Sequence, residues 1–115
     1  MGLSFTDRQL DLMNILWDDG SATVREAKEA LEEELAYTSV LTVFQTLEKN
    51  GHVRHEPEGK AYRYYPTVSR EEAGREAVSY LKRRIFQGSA TALTETLMEE
   101  TDESLLEEET AELEV

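Results

Sequence analysis

The stretch Thr38–Asn50 carries Thr42, Gln45 and Thr46 beside Leu41, and it has no carboxylate before Glu48 in a chain of 25 acids. Such a surface suits the edges of nucleic-acid bases. An amide pairs bidentately with adenine, and hydroxyl or alkyl groups meet a thymine methyl. On this reading Gln45 reads a base, while Leu41, Thr42 and Thr46 meet methyl groups. Lys49 meets the phosphate backbone, and Thr38 and Ser39 stand at the helix start, where free N–H groups favour phosphate. Plainer readings compete. Gln45 also reads as a solvated helical glutamine, and Thr38 and Ser39 as capping residues.

Other chemistry finds less support. Cysteine is absent, so disulfides, thiolate metal sites and a cysteine nucleophile are excluded. His52 and His55, three apart on an expected strand, point to opposite faces, and no metal is expected there. No Gly-rich phosphate loop follows a strand, and no Ser/His/Asp set stands out from scattered surface residues. Neither an enzyme nor a cofactor is expected. Tyr62, Tyr64 and Tyr65 could stack on bases, but closing a core beneath a hairpin is the commoner use of such tyrosines.

The elements that must position these residues follow from periodicity and punctuation. Thr6–Gln9, Thr23–Glu26 and Ser69–Glu72 each match a capping box, a hydroxyl followed three residues later by Glu or Gln. A first helix is predicted from Thr6 to Asp18, with Leu10, Met13 and Trp17 inward and Leu12 and Leu16 widening the stripe. A short extended link, Ser21–Thr23, leads to a second helix from Val24 to Glu34. The third, Thr38–Asn50, turns Val40, Val43, Phe44 and Leu47 to one face at i, i+3, i+4, i+7, and Gly51 takes the C′ position. His52–Glu56 and Ala61–Tyr65 then read as hairpin strands around the turn Pro57–Lys60. This hairpin supplies Arg54, Lys60 and Arg63. Lys60 and Arg63 suit DNA backbone or minor groove, whereas Arg54 has rival partners in Glu56 and Glu58.

Helix, link, helix, helix, hairpin is the order of a winged helix-turn-helix. The fold class expected is therefore mostly α with a small β-hairpin: a DNA-binding domain over residues 1–68 and a helical dimerisation region with an acidic arm over 69–115. Helices are predicted at Ser69–Phe86, Ala90–Glu100 and Glu103–Leu113. Val78, Leu81, Ile85, Phe86, Leu93 and Leu97 are left without a partner once the first domain has closed. A second copy of the chain is the simplest one.

Averaged over the chain, the net charge of −13 opposes a DNA partner, but it is unevenly spread. Residues 1–94 carry 12 basic and 15 acidic side chains, and residues 95–115 carry ten acids and no base. The amino terminus lacks the features of a signal peptide, and no apolar run approaches the ~20 residues of a membrane span. A soluble cytoplasmic protein is expected.

In combination, Leu10–Trp17, Ala22–Glu26, Ala36–Gly51, Gly59–Pro66 and Phe86–Ser89 resemble the penicillinase-repressor family of winged-helix regulators. The resemblance implies a homodimeric repressor. Its N-terminal domain would bind double-stranded operator DNA of twofold symmetry, and its C-terminal helices would dimerise. Three positions depart from the family. Arg is frequent there where this chain has Thr46. The Asn-Phe bond cleaved in penicillinase-type members corresponds to Thr96-Leu97, so control by that protease is not expected. The cysteine pairs of the copper-responsive branch have no counterpart. The competing expectation is a protein-interaction module that keeps the scaffold without binding DNA.

Overall fold

Helix α1 (Asp7–Asp19) starts where the Thr6 hydroxyl accepts from the Gln9 N–H at 3.2 Å and the Gln9 amide oxygen accepts from the Thr6 N–H at 2.9 Å. The computed structural model describes residues 4–101. After α1 come β1 (Ala22–Thr23), α2 (Val24–Ala30), α3 (Tyr37–Lys49), β2 (Val53–Glu58), β3 (Ala61–Pro66), α4 (Arg70–Arg84) and α5 (Ala90–Glu100). The fold is mostly helical, with a three-stranded antiparallel sheet in the order β1-β3-β2. The expected helix Glu103–Leu113 lies outside the described residues.

The second capping box also forms. Thr23 and Glu26 exchange bonds of 3.2 and 3.1 Å at the start of α2. The third forms by half. Ser69 Oγ accepts from the Glu72 N–H at 3.0 Å, but the Glu72 carboxylate takes the Ser69 hydroxyl and not its backbone.

The core of the first unit joins Leu12, Met13 and Leu16 of α1, Val24 and Ala27 of α2, and Val40, Phe44 and Leu47 of α3. Val53, Tyr64, Val68 and Ala73 close it from the sheet side and from the start of α4. Phe44 and Tyr64 stack nearly parallel, with centroids 4.5 Å apart. The inward stripe of α1 differs from the expected one. Leu10 is 36% exposed and Trp17 lies at the rim. The Trp17 indole N–H needs an acceptor and finds the Val68 carbonyl at 2.8 Å, so the ring covers the core without entering it.

Two boundaries also depart from expectation. Helix α2 stops at Ala30 and not at Glu34, because Leu31 turns extended (ψ 138°) and packs its side chain on the core. Strand β2 runs through Pro57 to Glu58, leaving only Gly59 and Lys60 in the turn. Proline is tolerated there because β2 is an edge strand. Gly59 holds φ +62° at the first turn position, where a two-residue hairpin favours glycine.

The described residues form two compact units that divide between Arg75 and Glu76, within α4. The first turn of α4 belongs to the first unit, since Ala73 is in its core and Arg70 reaches Asp18 at 2.8 Å. In the second unit α5 buries no residue, and Val78, Leu81, Ile85 and Leu97 are exposed. Among the described residues no helix is long and apolar enough to cross a membrane.

Candidate nucleic-acid interface

Three features set the position of α3. Its inner face is locked by Val40, Phe44 and Leu47, all fully buried. Its end is a Schellman motif, in which the His52 N–H donates to Leu47 O at 2.9 Å and the Gly51 N–H to Glu48 O at 3.0 Å. Its start is bare: Ala36 is the N-cap and offers no side-chain bond. Thr38 and Ser39 therefore lie inside the first turn, exposed, and neither caps α3.

The outward face is the one the sequence indicates. Thr42, Gln45, Thr46 and Lys49 are exposed and Leu41 is half-buried. The Thr42 hydroxyl donates to Thr38 O at 2.8 Å, and that of Thr46 to Thr42 O at 3.1 Å. Their protons are consumed by the helix, so acceptor lone pairs and methyl groups remain to face outward. Glu48, the only carboxylate of α3, lies 2.6 Å from His55 Nδ1 on β2.

The hairpin cations fall into two groups. Lys60, at the turn, is exposed and makes no ion pair among the described residues. Arg54 pairs with Glu56 at 2.8 Å and lies over the Tyr65 ring at 4.3 Å. Arg63 is fully committed. It grips Glu58 through Nε (2.8 Å) and Nη2 (2.9 Å), Glu26 through Nη1 (2.9 Å) and Nη2 (3.0 Å), and reaches Ser21 Oγ at 3.1 Å. These bonds hold both carboxylates below the usual glutamate range and raise the guanidinium still higher.

Sequence reasoning did not reach three features. Tyr37, which precedes the predicted helix Thr38–Asn50, is the first residue of α3 and is 47% exposed. The Glu48–His55 pair crosses from helix to strand. The Arg63–Glu26 pair spans 37 residues, and no local pattern announces it. His52 Nδ1 is sealed from solvent without a hydrogen-bond partner among the described residues, beside the Phe5 ring at 4.6 Å. Burial pushes its pKa down. Among the described residues, no three His, Asp or Glu side chains converge as a metal site would require. The residues expected to dimerise, Val78, Leu81, Ile85, Phe86, Leu93 and Leu97, all lie in the second unit. Phe86 and Leu93 are half-buried and the other four exposed.

A helix-turn-helix whose second helix shows an exposed, nearly acid-free face beside a β-hairpin defines the winged-helix class. Within it, the family model described as penicillinase repressor matches residues 5–115, and the chain belongs to that family. It is 39% identical over 69 residues to the transcriptional regulator BlaI of Mycobacterium tuberculosis, in strains CDC 1551 / Oshkosh and ATCC 25618 / H37Rv. That match covers 57% of this chain and 50% of the regulator, so the chain matches about half the length of these curated relatives. Among solved structures, the DNA binding domain of the repressor BlaI superposes with a TM-score of 0.55 at 22% identity, over 63% of this chain and 93% of that one. The CopR repressor gives 0.50 at 25% identity, over 60% and 100%. A MarR family protein from Bacillus stearothermophilus gives 0.56 at 20%, over 97% and 73%. The matches at 22% and 20% identity establish the fold alone.

Proposed function

We propose that this chain is a transcriptional repressor that binds a twofold-symmetric DNA operator as a homodimer, with α3 in the major groove. The observation that carries this reading is the outward face of α3. It is exposed and rigidly backed, it presents Gln45, Thr42 and Thr46, and its one carboxylate is engaged by His55. A major groove about 12 Å wide admits such a helix. The uncapped first turn leaves the Tyr37 and Thr38 N–H groups for phosphate, with the Ser39 hydroxyl beside them, while the Ser39 N–H is bonded to Ala36 O at 3.0 Å. Lys49 and Lys60 supply cations to the backbone, and Arg54 remains a backbone contact if Glu56 yields it. Arg63 supports the reading as the residue that fixes the hairpin's stance, its donors being already engaged. Membership of the penicillinase-repressor family supports the same function. The exposed Val78, Leu81, Ile85 and Leu97 support a dimer, since the described residues of one chain leave them in water.

Titration of DNA from the chain's own promoter at about 50 to 200 mM salt tests the proposal. Specific binding that weakens steeply with salt is expected. Gln45→Ala should change the preference between operator variants at one position by about 1–3 kcal/mol. Absence of salt-dependent binding would leave the scaffold as a protein-interaction module. The glutamates already paired with Arg54 and Arg63 favour that second reading.

A further inference from the structure

Charge is arranged unevenly along the second unit. The last turn of α4 carries Lys82, Arg83 and Arg84, and no Lys or Arg follows Arg84 anywhere in the sequence. Helix α5 carries Glu95, Glu99 and Glu100 and no base, and its last two acids occupy the negative end of the helix dipole. Acids at that end are destabilising unless a cation faces them. Among the described residues none is paired with them, and Arg83 donates only to Ser79 Oγ, at 2.6 Å.

Within one chain α5 carries Glu99 and Glu100 away from the basic turn of α4, and among the described residues no ion pair joins the two groups. The Gly88 N–H bonds to Lys82 O at 2.7 Å and the Ser89 N–H to Phe86 O at 2.8 Å, so α5 begins at the basic end of α4. Its acidic end lies about 13 Å further along, at 1.5 Å per residue. A twofold axis that sets two such helices antiparallel reverses this arrangement. The acidic end of one α5 then meets the start of the other and, with it, the partner's basic turn. The exposed Val78, Leu81, Ile85 and Leu97 lie on the same two helices and supply an apolar centre.

We propose that Lys82, Arg83 and Arg84 of one copy pair with Glu95, Glu99 and Glu100 of a second copy, and that this reciprocal pairing fixes the antiparallel register of the dimer. The inference rests on the homodimer proposed above and adds its geometry and partner selectivity.

Two full-length variants test it, Lys82→Glu/Arg83→Glu/Arg84→Glu and Glu95→Lys/Glu99→Lys/Glu100→Lys, with self-association followed by sedimentation equilibrium. Each alone should associate at least about tenfold more weakly than the wild type. An equimolar mixture should form heterodimers within a few-fold of wild-type affinity. Circular dichroism verifies helix content, and the single changes Arg84→Glu and Glu99→Lys repeat the comparison should a triple variant unfold. A monomeric wild type overturns the dimer itself. A dimeric wild type with variants that associate equally well overturns the pairing. Weakened variants that fail to rescue one another place the pairing within one chain and overturn it between copies.

Discussion

At the scale of residues, two cations on one hairpin do different work. Lys60 has no ion pair among the described residues, whereas Arg63 donates to Glu26, Glu58 and Ser21 at once. A lysine that neutralises phosphate releases counterions when it binds, and a saturated arginine does not. Lys60→Ala should weaken DNA binding uniformly across sequences and reduce the salt slope by about 1. Arg63→Ala should leave the slope unchanged while weakening binding, because Glu26 and Glu58 are freed to repel the backbone. Salt titrations of the two variants separate the roles. An equal fall in slope for both would mean that Arg63 leaves its carboxylates for phosphate. Sequence alone showed both as hairpin cations. It did not show the difference, because the Arg63 partner Glu26 is brought near only by the β1–β3 pairing of Thr23 with Arg63.

At the scale of elements, the third helix was the most legible. The spacing of Val40, Phe44 and Leu47 named its buried face, and Gly51 named its end. Two capping boxes formed in full, since their bonds are local and depend on residue types three apart. The second helix was less legible. Glu32, Glu33 and Glu34 are good helix formers, yet the chain leaves the helix after Ala30. Leu31 gains core contact by doing so, and Glu33 reaches Arg8 at 2.7 Å. Tertiary contacts thus outweigh propensity there. His52, between α3 and β2, carries a prediction for pH. Burial lowers its pKa in the folded state, so the unfolded chain binds more protons just below the ordinary histidine value of about 6.5. Stability should therefore be full above that pH and fall as the pH drops towards the depressed value. His52→Leu should remove this share of the acid loss, read as the difference between wild-type and variant urea midpoints from pH 7 to 5. Parallel profiles for the two proteins would refute it.

At the scale of the molecule, the two units answer to different stabilising forces. The first buries a complete core of its own, and the second exposes the residues that would make one. Leu81→Asp/Ile85→Asp should yield a monomer in sedimentation. Its first unit should still unfold cooperatively in a thermal melt, because neither side chain belongs to that core. Operator affinity should drop steeply, since a dimer gains its second half-site at a high effective concentration. A variant that stays dimeric would locate the interface elsewhere. The exposure of Val78, Leu81, Ile85 and Leu97 was legible in the sequence as apolar stripes left over after one domain had closed. The division between units within α4 was not, because a continuous helix gives no break in periodicity at Arg75.

Glu26 belongs to two structures at once, closing the cap of α2 and holding one side of Arg63. Tolerance to substitution at this position should accordingly be narrow. Glutamine would keep the cap and lose the ionic grip, and aspartate would reach neither partner from the same backbone. A change at 26 leaves Arg63 with Glu58 and Ser21 alone, and a change at 63 leaves Glu26 with the cap alone. Among relatives, these two positions should change together more often than either changes alone.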